Sequence, residues 1–290
     1  MSILVIGKQG QVARALMRRA AAHNLEVQLL GRPEFDLERV DAAAIAAHRP
    51  QVVINAAAYT AVDRAESEAG RAFLINAIAA EAVAAAAASV HARVIQVSTD
   101  YVFSGEKTEP YVETDATEPA TIYGQSKLAG ERGALKANPS ATIVRTAWVY
   151  DASGANFVRT MLRLAKSRSQ LNVVADQRGC PTFADDLADA LLKVATKGGS
   201  AGIYHAAGAG DVSWAEFAQE IFAQSAARGG PSAQISAISG SEYPTAARRP
   251  TNSRLDCGKF AQDYGVRLRP WREALAQCLD EMAAGGWRVE

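Results

Sequence analysis

Tyr123 and Lys127 stand four residues apart in Tyr123-Gly-Gln-Ser-Lys127, a spacing that places both side chains on one face of a helix. An ammonium so placed stabilises a phenolate, whose ordinary pKa of about 10 is too high for easy proton transfer near neutrality. Just upstream, Ser98-Thr99-Asp100-Tyr101-Val102-Phe103 closes an apolar run. From there the Thr99 hydroxyl can join Tyr123 in holding a carbonyl oxygen that is protonated while hydride reaches its carbon. Such chemistry requires a hydride donor.

Gly7-Lys-Gln-Gly10-Gln-Val-Ala13 follows a β-branched run and opens a helical pattern. The glycines permit a tight turn and close backbone approach to a pyrophosphate at a helix N-terminus, and Ala at the third position keeps helix and strand close. Gly7, Gly10, Gln11 and Val12 are therefore candidate cofactor contacts, although a plain strand-to-helix turn has the same spacing. The next strand ends Leu29-Leu30-Gly31-Arg32 with no carboxylate at its tip. An acidic residue there would favour the free ribose hydroxyl of NAD, whereas Arg32 can pair with the 2′-phosphate of NADPH. NADPH is the expected cofactor and NADH a possible second; a solvated loop arginine is the competing reading of Arg32. Asp36, beside Leu37, is a candidate for the adenine amino group or a surface acid. Ala56, Ala57 and Ala58 end the third strand, small enough to let the backbone lie along a dinucleotide.

These elements alternate. Apolar runs at 3–6, 27–30, 52–55, 94–98 and 142–146 are separated by helical patterns at 11–22, 40–48, 71–89 and 126–136. Strands apolar on both faces with helices between them predict an α/β fold, a Rossmann-type doubly wound parallel sheet. Further helical patterns at 155–167, 184–196, 214–226 and 271–282 follow, in a less regular second half. The expected organisation is a dinucleotide-binding domain over 1–150, completed by about 172–206, with a smaller α/β substrate-binding domain from 151–171 and 207–290. The 290 residues suffice for two such units. Lys plus Arg and Asp plus Glu each number 31, so no global basic field points to nucleic acid. Cys180, Cys257 and Cys278 form no CxxC pair. A disulfide framework and a metal cluster are not expected, no His lies near Cys180 to make it a nucleophile, and a cytoplasmic location is. The N-terminal run reads as a strand, not a signal peptide. The Ala-rich run at 77–90, interrupted by Glu81, falls short of membrane-spanning length, and no membrane association is expected.

Gly7-x-x-Gly10-x-x-Ala13, Asn55–Thr60, Ser98–Phe103 and Tyr123-x-x-x-Lys127 resemble the extended short-chain dehydrogenase/reductases. The strings at 98–105, 123–131, 145–150, 176–182 and 248–253 are similar to those of one family within that group, the dTDP-4-dehydrorhamnose reductases, and the resemblance runs from residue 1 to about 285. It implies Thr99, Tyr123 and Lys127 as the catalytic trio: Thr99 on the C4 keto oxygen, Tyr123 as proton donor, and Lys127 on the nicotinamide ribose. It implies a dTDP-linked 4-keto-6-deoxysugar as substrate, with Asp100, Tyr101 and Trp148 lining the sugar pocket. Arg248 and Arg249 are candidates for the diphosphate, since arginine forks suit phosphate oxygens. Some relatives form a dimer bridged by a metal on glutamates. The matching first-helix position here is Ala15, so no metal is expected and either a monomer or a homodimer is compatible. Ser104, where relatives often carry Asp, is expected to be neutral.

Three other readings compete. A dehydratase of this group carries Asp then Glu directly after the Thr, and Tyr101 occupies the second position here. An epimerase on the same scaffold retains its NAD through an internal redox cycle. A non-catalytic regulatory subunit that binds a dinucleotide is a reading of another class, which the intact trio disfavours.

Overall fold

The computed structural model describes residues 1–198 and 201–288. The first strands are short because four residues suffice when both faces are buried: all of β1 (Ile3–Ile6) lies out of solvent. Gly7 ends it at φ 123°, a conformation side-chain-bearing residues avoid. α1 (Gln11–Ala22), β2 (Val27–Leu30), α2 (Ala42–Ala47) and the fully buried β3 (Val52–Asn55) follow. After α3 (Val62–Ala65), α4 (Ala69–Phe73) runs through a π turn at Leu74–Ile78 into α5 (Ala79–Ser89). β4 (Arg93–Thr99), α6 (Ile122–Ala137) and β5 (Thr142–Thr146) complete the first half.

β1 packs its odd and even residues into different layers. Ile3 and Val5 join α1 in one core, whereas Leu4 and Ile6 join Val83, Val94 and Ala134 in another. The sheet order is β10-β5-β4-β3-β1-β2, every pairing parallel, where β10 is the later strand Gly202–His205. The winding reverses between β1 and β3, and the carboxyl ends of strands at such a switch point form the crevice in which ligands bind. The α/β fold and its doubly wound parallel sheet are those expected.

The second half adds β6 (Val149–Tyr150), α7 (Phe157–Ala165), β7 (Gln170–Val174), β8 (Arg178–Gly179), β9 (Thr182–Phe183) and α8 (Ala184–Lys197) before β10. Beyond β10 come β11 (Val212–Ser213), α9 (Trp214–Ala226), β12 (Gln234–Ile238), β13 (Asn252–Ser253), α10 (Gly258–Tyr264) and α11 (Trp271–Ala284). β7 pairs with β12, away from the main sheet, and β8 lies between β11 and β13. Val158, Leu162, Phe217, Ile221, Leu275 and Leu279 form a separate core from α7, α9 and α11. α8 packs against α1, and Phe260 and Tyr264 of α10 enter the same core as α8. The first core thus draws on residues beyond position 207.

The helix over residues 69–89 is longer than the sequence pattern suggests. Its 21 residues are long and apolar enough to cross a membrane by length and composition alone. Here the α5 portion packs against α2 and α6, with Val83, Ala84 and Ala87 fully buried.

Candidate active site

Thr99 is the last residue of β4, and its hydroxyl accepts from the Tyr101 amide at 3.2 Å while donating to the Asp100 carboxylate at 2.9 Å. The chain turns there because the side chain caps a short 3-10 turn at Asp100–Val102. Opposite, Thr121 caps α6 by accepting from the Gly124 amide at 3.0 Å. The helix therefore begins earlier than its Ala- and Leu-rich pattern suggests, and Tyr123 sits in its first turn. Gly124 makes this approach possible: a Cβ there would lie 2.1 Å from the Tyr101 carbonyl oxygen.

Tyr123 is buried beside Thr99, and burial pushes the phenol above its ordinary pKa while the neighbouring Thr99 hydroxyl holds it down. Tyr101 stands edge-on to Tyr123 with ring centroids 5.4 Å apart, and burial beside Asp100 lifts its phenol to about 12. Asp100 is itself raised to about 6 by burial, against the hydroxyls of Ser253 and Thr99. Lys127 lies on the face of α6 that carries Tyr123, but its ammonium donates to the Val97 carbonyl at 2.7 Å. Burial lowers it to about 8, with the Glu131 carboxylate pulling the other way. The Glu131 carboxylate is fixed by a two-pronged pair with Arg145, at 2.9 and 2.7 Å. Sequence reasoning missed Glu131, although a Glu four residues beyond Lys127 is the same helical spacing that singled out Tyr123 and Lys127.

The dinucleotide loop has room where a ligand needs it. A Cβ at Gly10 would meet nothing within 4 Å. Gly10 is the N-cap of α1 and offers no side-chain cap, and the first turn carries no acid. The exposed amides and positive end of the dipole are thus free to meet an anion. Gly7 packs against Ala57, placing the first strand's turn beside Ala56, Ala57 and Ala58. Gln11 is engaged by Asn156, whose side-chain amide donates to it at 2.9 Å, and Val12 leans on the first core. Arg32 follows β2 on an exposed turn and has no ion-pair partner among the described residues, while its neighbour Glu34 pairs with Lys8. Asp36 accepts from the Glu38 amide at 3.0 Å, so one of its oxygens serves the local turn, and Leu37 packs beside Phe35. The residues present fit a dinucleotide.

Trp148 adopts φ 47°, and its ring stacks on Trp214 with centroids 3.3 Å apart. Gly179 makes space for it: a Cβ there would lie 2.4 Å from the indole. Trp214 opens α9 behind a Ser213–Glu216 capping box. That motif was readable, but nothing in the sequence paired the two tryptophans. Arg248 and Arg249 part company. Arg248 is mostly exposed and pairs with Glu106 at 3.1 Å, whereas Arg249 reaches Asp63 at 2.7 Å and lies near Tyr101, whose phenol pKa its charge pulls down. Asn76, in the π turn, was also missed. It accepts from the Tyr59 amide at 2.8 Å and donates to Ser126 at 3.0 Å, tying the loop after β3 to α6. Ala15 is buried in the first core.

The family model described as the RmlD substrate binding domain matches residues 1–284. A dTDP-4-dehydrorhamnose reductase from Sinorhizobium fredii is 47% identical over 282 residues, covering 94% of this chain and 95% of the relative. The crystal structure of a dTDP-4-dehydrorhamnose reductase from Clostridium acetobutylicum is 38% identical, with a TM-score of 0.92 over 97% of this chain and 99% of that one. One from Bacillus anthracis, solved in complex with NADP, is 34% identical with a TM-score of 0.91 over the same shares, 97% and 99%. With the switch-point crevice, the glycine loop and the Thr–Tyr–Lys site in one molecule, these likenesses show that the chain belongs to the dTDP-4-dehydrorhamnose reductase family of extended short-chain dehydrogenase/reductases.

Proposed function

We propose that this protein reduces the C4 keto group of dTDP-4-dehydro-β-L-rhamnose to give dTDP-L-rhamnose, with NADPH as hydride donor and NADH as a second cofactor it can use. The observation that carries the reading is the buried Thr99–Tyr123 pair, set at the carboxyl end of β4 next to the open crevice between β1 and β3. Bound in that crevice, the nicotinamide supplies the hydride. Gly7, Gly10 and the amides of α1 receive the pyrophosphate, Ala56, Ala57 and Ala58 line its path, and Arg32 meets the 2′-phosphate.

The remaining chemistry belongs to side chains. Tyr123 donates to the keto oxygen and Thr99 joins it by turning its hydroxyl proton from Asp100, so the negative charge that develops there meets two donors. A phenol pushed upward by burial keeps its proton at neutral pH, and an alkoxide is a far stronger base than a phenolate. Tyr123 therefore donates in the reductive direction without prior activation. Lys127 remains mostly protonated at neutral pH and compensates the phenolate left behind. Asp100, largely ionised above about 6, is placed to accept from a sugar hydroxyl, and the Trp148–Trp214 stack offers the flat wall on which a deoxysugar packs. The position that would carry a dehydratase's carbon base is Tyr101, which rules that chemistry out of the proposal.

The two-domain division, 1–150 completed by about 172–206 against 151–171 with 207–290, is part of the same reading. The separate cores support it in part: α8 and β10 complete the first unit, whereas Val173 and Phe183 enter the second core and α10 crosses back to the first. The free cysteines fit a cytoplasmic enzyme. Adding dTDP-4-dehydro-β-L-rhamnose to protein and NADPH, and following absorbance together with the sugar product, tests the proposal. Stoichiometric oxidation with dTDP-L-rhamnose formed is the expected result; no oxidation by folded, NADPH-binding protein would overturn it.

A further inference from the structure

Segment 59–68 leaves the end of β3, directly beyond the three alanines along the dinucleotide path, and its side chains grip both sides of the reaction centre. The Tyr59 phenol donates to Glu68 at 2.9 Å, which folds the segment on itself. Glu66 accepts from the Ile122 amide at 3.0 Å and so holds the first residue of α6, one before Tyr123. Asp63 faces the other way. One of its oxygens accepts from Arg249 at 2.7 Å and the other from the Ala247 amide at 3.2 Å. Arg249 in turn lies close enough to the Tyr101 phenol for its charge to pull that phenol's pKa down, and Tyr101 stands edge-on to Tyr123.

We infer that Asp63 is a positioning residue for the sugar nucleotide, acting through Arg249 to fix Tyr101 as a wall of the sugar pocket. The inference rests on the reductase reading of the site. Asp63 and Arg249 are both partly open to solvent, with side-chain exposures of 42% and 32%, and an ion pair of that kind adds little to folding stability. Its worth is geometric. A guanidinium freed from Asp63 has room to swing, whereas one held by a carboxylate keeps its charge in a fixed place beside Tyr101. The second contact, to the Ala247 amide, fixes the backbone two residues before Arg249, so side chain and main chain are set by one carboxylate. Arg248 has no such support: its partner Glu106 is itself exposed, at 69%. Adjacent arginines thus divide the labour, with Arg249 built into the pocket wall and Arg248 left at the rim.

The test is a cycle of Asp63→Asn, Arg249→Gln and the double variant, with Asp63→Glu as the conservative control. Removing a charged hydrogen-bond partner from a binding site predicts a rise in KM for the keto sugar nucleotide of about tenfold in Asp63→Asn, with kcat nearly unchanged. NADPH affinity and melting temperature stay at wild-type values, and Asp63→Glu recovers part of the KM. Because Asp63 acts through Arg249, the double variant is no worse than Arg249→Gln alone. Additive losses in the double variant, or a KM change that tracks a lower melting temperature or weaker NADPH binding, would overturn the inference. The calorimetric affinity of each variant for dTDP-L-rhamnose gives a readout independent of turnover. If the wild type binds that ligand but does not reduce the keto sugar, the reductase reading fails. If the wild type turns over and Asp63→Asn matches it, only the positioning role fails.

Discussion

Lys127 shows what burial does to a side chain proposed as catalytic. The sequence places it one helical turn beyond Tyr123 and suggests an ammonium beside a phenolate. In the structure it donates to the Val97 carbonyl, and desolvation lowers it to about 8. A group whose pKa is lowered loses its proton as pH rises through that value, so the compensating charge disappears on the alkaline side. The rate of reduction is therefore expected to fall as pH rises through about 8. Lys127→Arg, which stays charged in this range, removes that limb at a lower overall kcat. A pH profile of kcat for both proteins checks this, and an alkaline limb unchanged in Lys127→Arg would assign it to another group. Residue type and spacing alone single out Thr99, Tyr123 and Lys127, and the structure places them at the end of β4 and in the first turns of α6. The division between Arg248 and Arg249 was not legible in that way, because it depends on Asp63 and Glu106, more than a hundred residues away in sequence.

At the scale of elements, the strands from β1 to β5 were readable nearly to the residue, since each is a short, mostly apolar run bounded by polar residues or turns, buried on both faces except at the edge strand β2. The short pairings of the second half were not. β8, β11 and β13 are two-residue strands defined by their partners, and two residues carry no periodicity. α10 escaped for a similar reason, being seven residues long. The start of α6 was legible only in hindsight, as a Thr cap whose partner is a glycine with its own steric reason. Two glycines at the site serve opposite ends, and their alanine variants separate them. At Gly124 the added Cβ meets the Tyr101 carbonyl at 2.1 Å. Gly124→Ala is expected to cost about 1–3 kcal/mol in urea unfolding, as overpacking does, and to lower kcat by shifting Tyr123. At Gly10 the backbone has φ −67° and the space is open. Gly10→Ala should leave unfolding unchanged and weaken NADPH binding, measured by fluorescence titration, because its methyl occupies the pyrophosphate's place.

The core shared by α1 and α8 and the separate core of α7, α9 and α11 meet at an identifiable ionic centre. Arg18 of α1 reaches Asp151, which follows β6, at 3.1 Å and Asp185 of α8 at 2.6 Å. The Asp151 and Asp185 side chains are only 1% and 9% exposed, while Arg18 is 40% exposed. Removing the guanidinium strands two carboxylates with little access to water. Arg18→Met is expected to cost about 1–3 kcal/mol, below the range for a fully buried pair because solvent already screens Arg18. Lys136→Ala, which breaks an exposed contact with Glu81 at 3.6 Å, should change stability by less than about 0.5 kcal/mol. Urea unfolding of the two variants side by side checks the contrast. The proposed site sets a proton donor, Tyr123 in the first turn of α6, beside the switch-point crevice assigned to the hydride donor, and the account turns on that residue. The decisive measurement is single-turnover oxidation of bound NADPH by dTDP-4-dehydro-β-L-rhamnose in wild type and Tyr123→Phe, with NADPH affinity determined for both. The account predicts equal NADPH affinity and a rate lowered about 10²–10⁴-fold in Tyr123→Phe, the usual worth of a positioned general acid. A near-wild-type rate in that variant would contradict it.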